Sequence, residues 1–267
     1  MASKDRFAGK VVWVTGASSG IGEALALAFA QAGARLVLSA RREAELRRVA
    51  ARCGAAEVFI VPLDLSVSDD FPRLVEHVLE RFGRIDIVVH NGGISQRSLV
   101  EDTAMDVHRR IMEVDYFGTV ALTRAVLPTL LSQRSGHFVV ITSVMAKVGT
   151  PLRSSYAGAK HALHGFFDCL RAETAADGVS VSLIMPGYVA TNVSRNALTA
   201  EGEPTGKDEA TTANGATPAE TAAQILSAVA RKRSEVYVGR WGKDRLALTL
   251  KRFLPALLER MVQRSSR

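Results

Sequence analysis

Cysteine is scarce: the chain has two, Cys53 and Cys169, among 267 residues. Both fall in helical patterns without metal or redox spacing, which sets aside a disulfide framework and a zinc cluster and makes them reduced core thiols of a cytosolic protein. The six histidines also lack ligand spacing. His161 and His164 read as packing or polar surface, and no metal is expected. The opening Met1-Ala-Ser-Lys-Asp-Arg-Phe7 has no apolar core and reads as neither a signal peptide nor a membrane span. No repeat of solenoid length and no domain boundary is evident. Acids are scarce at the other end: residues 231–267 hold 11 Lys/Arg and 3 Asp/Glu, a net of +8 in a chain of +7, which leaves −1 on the first 230 residues. The basicity belongs to the tail and has no recognition motif beside it, so no nucleic-acid partner is expected.

What the chain does have is a strand-helix alternation and 47% hydrophobic residues, enough for one large α/β core. Val11–Thr15 is a short buried strand that runs into Gly16-Ala-Ser18-Ser19-Gly20-Ile21-Gly22 and an Ala/Leu helix to Ala32. Strand, glycine turn, helix is the order that cradles a pyrophosphate: glycines let the backbone approach, and the helix N-terminus presents unpaired N–H groups. The second strand, Arg35–Ser39, ends in Ala40-Arg41-Arg42, where an NAD site carries an acid for the ribose 2′-hydroxyl. No acid is there. Arg41 suits a 2′-phosphate, which a guanidinium grips with paired hydrogen bonds; Arg42 reads either that way or as the start of a solvated helix over 42–52. NADP is therefore favoured over NAD.

A third strand, Glu57–Pro62, leads to Asp64-Leu65, where Asp64 either accepts a hydrogen bond from adenine or caps the turn. A helix over 69–82 and a strand over 85–90 lead to Asn91-Gly92-Gly93, small enough to admit a flat ribose and ring. Met105–Arg134 reads as one long amphipathic helix interrupted near Gly118 and Pro128, and it carries Asp115. The apolar run from His137 ends at Ser143, whose hydroxyl would sit at a carboxyl edge, where open α/β sheets hold ligands. A helix from Ser154 to about Ala176 places Tyr156 and Lys160 four residues apart on one face.

Free tyrosine titrates at about 10, so an appreciable phenolate fraction near neutrality requires roughly 3 to 4 kcal/mol of help. An exposed helical pair supplies only about 0.2 to 0.5 kcal/mol. A partly buried pair at an effective dielectric near ~20 supplies about 4 kcal/mol at ~4 Å, so this chemistry needs a pocket and a second positive charge, which an oxidised nicotinamide would provide.

Val179–Met185 forms a sixth strand closed by Pro186-Gly187. Residues 188–217 exceed an ordinary connection and read as a mobile substrate lid or a disordered insert. Thr217-Pro-Ala-Glu220 has capping-box form and starts a helix ending near Arg233, and Glu235–Val238 is a last strand.

Thr15-Gly-Ala-Ser-Ser-Gly-Ile-Gly22, Asp64-Leu65, Asn91-Gly-Gly93, Ser143, Tyr156-x-x-x-Lys160 and Pro186-Gly187 resemble, in order and spacing, the short-chain dehydrogenase/reductase superfamily over roughly residues 8 to 240. Arg171-Ala-Glu173, Pro186–Thr191 and Asn196-Ala-Leu look most like its membrane-associated dehydrogenase/reductase branch. The resemblance implies a single-domain Rossmann fold, a doubly wound seven-stranded parallel sheet with helices on both faces. It implies reversible hydride transfer between NAD(P)H and a carbonyl or alcohol. Tyr156 would be the general acid/base, Ser143 would hold the substrate oxygen, and Lys160 would activate Tyr156 and bind the nicotinamide ribose. Thr191 and the backbone at Val189 would hold the carboxamide. A homodimer or homotetramer through the helices at 105–134 and 154–176 is implied too.

Two positions depart from the family pattern. Asn91-Gly92-Gly93 replaces Asn-Ala-Gly, and Asp115 replaces the asparagine that holds a water in the proton relay behind the lysine. Aspartate keeps the shape, loses two N–H donors and adds a charge. It would pair with Lys160 and leave a weaker or differently pH-dependent relay. The alternative is a cofactor-binding protein without useful turnover, acting in interaction or sensing.

Residues 1–240 thus read as the catalytic domain and 241–267 as a basic amphipathic extension. Its stretch 243–264 suits either peripheral contact with an anionic membrane, at the inner membrane surface of a cytoplasmic protein, or packing on a partner subunit or over the active site. Ser95, Met145, Val148, Tyr188 and the 188–217 segment are expected to shape an apolar pocket for a ketone, steroid or lipid carbonyl.

Overall fold

The computed structural model describes residues 6–240 and 242–265. Most of the opening heptapeptide, residues 1–5, lies outside the described residues, as do Trp241 and residues 266–267.

Seven strands make one sheet, ordered β3-β2-β1-β4-β5-β6-β7 and parallel throughout. They are β1 (Val11–Thr15), β2 (Arg35–Ser39), β3 (Val58–Ile60), β4 (Ile87–His90), β5 (Gly136–Ile141), β6 (Val179–Pro186) and β7 (Glu235–Val238). The central strands are buried on both faces, which is why they read as unbroken apolar runs. Successive residues still serve opposite faces: Val12 and Val14 pack with Leu25 and Phe29, whereas Val11 and Trp13 pack with Phe71, Phe138 and Phe167. The buried Trp13 indole N–H is satisfied by Ser39 Oγ at 2.8 Å.

Helices α1 (Gly20–Gln31) and α2 (Glu43–Arg52) pack on the first face; α3 (Phe71–Phe82) packs on the second. Further along the chain come α4 (Met105–Met112), α5 (Gly118–Gln133), α6 (Ser154–Glu173), α7 (Ala210–Ala213) and α8 (Pro218–Ala230). Of these, α5 and α6 join the second face and α8 the first, so the doubly wound architecture expected from the sequence is present. Strand order reverses between β1 and β4, which opens a crevice at their carboxyl ends.

Several local expectations change. The long helix over 105–134 is interrupted just before Gly118, by a π-helical turn, Glu113–Phe117, but not at Pro128, through which α5 continues. Pro128 cannot donate to the Arg124 carbonyl, and both residues stand on the solvent-exposed side of the helix. Strand β5 stops at Ile141, and Ser143 caps a short 3₁₀ turn, Val144–Ala146, by accepting the Met145 N–H at 3.1 Å. Cys53 is buried as expected, whereas Cys169 is exposed and so not a core thiol. The single basic helix expected at 243–264 is two: α9 (Lys243–Phe253) and α10 (Pro255–Ser265), parted at Leu254 because the residue before proline is pushed out of the helical region.

Residues 188–217 are tied to the body by the bridge Gln96↔Leu198, and the two ends of the segment to each other by Val189↔Ala216, with Ser194, Ala197, Leu198 and Thr212 buried. Both halves of the Thr217/Glu220 capping box form.

Candidate active site

A cleft of about 730 Å³ runs along the carboxyl edge of the sheet. At one end it is lined by Gly16, Ser18, Ser19, Gly20 and Ile21 from the β1–α1 turn, and by Arg41, Arg42, Asp64 and Leu65 from the ends of β2 and β3. Gly16 and Gly20 have φ of +64° and +59°, a backbone that glycine adopts without penalty. Ser19 stands at the N-cap of α1 without a side-chain capping bond, so the helix's first N–H groups are left to a ligand.

Gly22, expected to touch a cofactor, is not in the cleft wall. Its role is packing: a Cβ there would lie 2.3 Å from the Gly16 carbonyl oxygen. Thr15 ties this turn to the next one. Its Oγ1 accepts the N–H groups of Asn91 and Gly92, each at 3.0 Å, and Asn91 Nδ2 donates to Thr15 O at 3.0 Å. A Cβ at Gly92 would meet Leu65 Cδ1 at 2.7 Å, which that side chain relieves by turning aside.

Asp64 does cap its turn: Oδ1 accepts the Ser66 N–H at 2.9 Å and the Ser66 hydroxyl at 2.7 Å. Burial pushes its carboxyl up, but those bonds and the nearby Arg41 and Arg110 guanidinia outweigh burial and hold it below its ordinary value. Arg110, from α4, also lines the cleft, a third arginine at this end that the sequence pattern did not single out.

At the other end α6 and the turn after β5 bring Ser143, Tyr156 and Lys160 into the same wall with Pro186, Gly187, Val189 and Thr191. The helical spacing delivers the expected pair, with Lys160 Nζ 5.5 Å from the centre of the Tyr156 ring. Because Ser143 Oγ accepts the Met145 N–H, its own proton is free to be donated into the cleft.

Asp115 lies behind Lys160, outside the cleft wall and fully buried. The widened turn Glu113–Phe117 carries it; Oδ1 accepts the Ile94 N–H at 2.7 Å, and Oδ2 lies 3.2 Å from Lys160 Nζ. Burial pushes the Asp115 carboxyl up, opposed by Lys160 and the Ile94 N–H. Burial pulls Lys160 down, but the charges of Asp115 and Tyr156 outweigh it, so the ammonium holds its proton more tightly than an ordinary lysine.

The substrate end is more polar than the sequence suggested. Ser95, Met145 and Tyr188 line it, but Val148 does not; Val148 is buried beneath Leu250 and Leu258 of the C-terminal helices. Arg97 and Arg153 also line it and share one carboxylate: Arg97 pairs with Glu209, and Arg153 Nη2 reaches Glu209 Oε2 at 2.8 Å. Burial pushes Glu209 up, but the two arginines outweigh it and hold the carboxyl low. Glu209 is 112 residues from Arg97, so no local spacing betrays the bridge. Asp244, from α9, also enters the wall, accepting the Tyr188 N–H at 3.1 Å.

A parallel doubly wound sheet with a glycine turn at one end of its crevice and Ser143, Tyr156 and Lys160 at the other defines a dinucleotide-binding oxidoreductase architecture. The short chain dehydrogenase family profile matches residues 10–202, and the chain belongs to that family. It is 50% identical over 235 residues to a Dehydrogenase/reductase SDR family protein 7-like of Anopheles gambiae, covering 85% of this chain and 74% of that one. Its structure resembles a short chain dehydrogenase/reductase from Burkholderia phymatum in complex with NAD, with a TM-score of 0.82 and 25% identity over 96% of each chain. It also resembles an alcohol dehydrogenase from Thermococcus sibiricus complexed with 5-hydroxy-NADP, with a TM-score of 0.72 and 29% identity over 86% of this chain and 96% of that one. These neighbours support a nicotinamide cofactor, and the glycine turn fits one; they do not choose between the two phosphorylation states.

Proposed function

We propose that the chain is an NADP(H)-dependent oxidoreductase that interconverts a carbonyl and an alcohol on a largely apolar small molecule. The observation that carries this reading is one continuous cleft with Arg41 and Arg42 at the β2 end and Ser143, Tyr156 and Lys160 at the other. The β1–α1 turn would hold the pyrophosphate, Arg41 and Arg42 the 2′-phosphate, Lys160 the nicotinamide ribose, and Val189 and Thr191 the carboxamide. When bound, the cofactor supplies or accepts the hydride.

The rest of the chemistry falls to the protein. In reduction the Tyr156 hydroxyl gives its proton to the carbonyl oxygen, while the Ser143 hydroxyl donates a hydrogen bond to the same atom and fixes its position. The Lys160 ammonium stabilises the phenolate left behind, and Asp115 keeps that ammonium charged. Residues 188–217 serve as the substrate lid, since Val193, Leu198 and Pro204 of that segment line the cleft. A homodimer or homotetramer in a reducing, cytoplasmic setting fits the family and the two unpaired cysteines.

The test is NADPH consumption with a panel of apolar ketones and aldehydes, with Tyr156→Phe as the control. Removing the proton donor should lower kcat by about 10²- to 10⁴-fold while NADPH still binds. Equal turnover by Tyr156→Phe would overturn the assignment. Cofactor binding with no turnover on any carbonyl would favour the sensing alternative, for which the charge at Asp115 is the motivating feature.

A further inference from the structure

The helices α9 and α10 have two faces. Inward, Leu250 and Leu258 pack on Val144 and Val148, just beyond Ser143, and Asp244 holds the Tyr188 backbone. Outward, they leave a row of large apolar side chains in solvent: Leu246 at 52% exposure, Phe253 at 69%, Leu254 at 55%, Leu257 at 46% and Met261 at 46%. Five of the twelve exposed large hydrophobic residues among those described fall in this one short stretch, which makes it a patch rather than scatter.

The rim of the patch is basic. Lys243, Arg245, Lys251, Arg252, Arg260 and Arg264 are exposed on the same two helices, with Glu259 the exposed acid among their described residues. The Arg252 guanidinium lies 5.6 Å from the Phe253 ring centre, so charge and apolar surface are interleaved side by side. On α9, Leu246, Thr249 and Phe253 follow helical spacing along one edge, with Arg245 and Arg252 on the adjoining edge. Leu257 and Met261 repeat the pattern on α10, with Arg260 and Arg264 beside them.

We infer that this surface docks on an anionic lipid membrane, lying in its interface rather than crossing it. Charge decides the occupant. A second copy related by a twofold axis would bring the same basic rim face to face, whereas acidic headgroups complement its charge while the acyl boundary takes up Phe253, Leu257 and their neighbours. No described helix is long and apolar enough to span a bilayer, so the contact is peripheral. Docking would set the membrane against the outer face of the helix pair that packs on Val144 and Val148 and sends Asp244 into the cleft wall. The inference rests on this surface alone and holds whether or not the cleft turns over a carbonyl.

The experiment is co-sedimentation of the full chain with vesicles of phosphatidylcholine alone and of phosphatidylcholine with about one-third phosphatidylglycerol. Binding to the anionic vesicles only, weakened by salt, is expected, at roughly fivefold in affinity per basic residue engaged. Lys251→Glu/Arg252→Glu and, separately, Phe253→Ser/Leu257→Ser should each reduce that binding at least about 20-fold with an unchanged melting temperature. Undiminished binding by both double variants, equal binding to neutral vesicles, or no binding to either composition would overturn the inference. So would a fall in molecular mass of Phe253→Ser/Leu257→Ser by sedimentation velocity, which would make the patch a subunit interface.

Discussion

Replacing Asp115 by Asn removes one buried charge and almost nothing else. The side chain is fully buried, its Oδ1 accepts the Ile94 N–H at 2.7 Å, and its Oδ2 lies 3.2 Å from Lys160 Nζ. An amide oxygen can keep the first contact, so the fold around β4 should survive. The second contact is lost. At an effective dielectric of ~20 the charge pair is worth on the order of 5 kcal/mol of gross attraction, offset by several kcal/mol of desolvation that the carboxylate no longer suffers. Without that charge Lys160 loses the largest influence that holds its proton against burial, so its titration moves down.

The signs follow from the two groups. Lys160 is raised because Asp115 and Tyr156 outweigh burial, so in the wild type the ammonium persists to higher pH than it would without its partner. Asp115 is raised by burial, so as pH falls it takes up a proton earlier than an ordinary carboxylate does. The kcat/KM profile of Asp115→Asn should therefore lose its alkaline activity at lower pH than the wild type does, while losing the acid limb that belongs to the carboxylate. The assay is kcat/KM against pH for both proteins on one carbonyl substrate. Superimposable profiles would refute the coupling.

Gly22→Ala should force the glycine turn open, because its Cβ would lie 2.3 Å from the Gly16 carbonyl oxygen; a stability loss of about 1–3 kcal/mol is expected in denaturant titration, with weakened cofactor binding. Glu209→Gln should lower the melting midpoint by removing the shared partner of Arg97 and Arg153; after solvent screening of this partly exposed cluster the loss is about 1–2 kcal/mol. Since the Glu209 carboxyl is held low in the fold, that contribution is present above the unfolded value and disappears as pH falls through the folded one, so the two proteins should converge in acid.

Much of this arrangement was legible in the chain. Buried parallel strands announce themselves as short runs of Val, Ile and Leu, and the Tyr156 to Lys160 spacing survives folding because a helix enforces it. Gly118 marked the place of the break, but its kind was not legible, since nothing in Glu-Val-Asp-Tyr-Phe distinguishes a π turn from an α turn. Gly118 itself packs against Leu65, where a Cβ would meet the carbonyl oxygen at 2.1 Å. The bridge of Glu209 to Arg97 and Arg153, the approach of Arg110 to Asp64 and the reach of Asp244 to Tyr188 depend on how distant segments dock. Pairwise spacing in one sequence carries no trace of them. Val148 failed as a pocket residue for the same reason, since what covers it comes from the far end of the chain.

The most direct test of the central claim is a fluorescence titration of the purified protein with NADPH and, separately, NADH. Charge-assisted hydrogen bonds from arginine to a 2′-phosphate are worth about 1.5–3 kcal/mol, so NADPH should bind roughly 10- to 100-fold tighter, and Arg41→Ala should erase most of that margin. Equal affinity for the two would contradict the NADP assignment and leave the enzyme class standing; binding of neither would contradict the reading of the cleft itself.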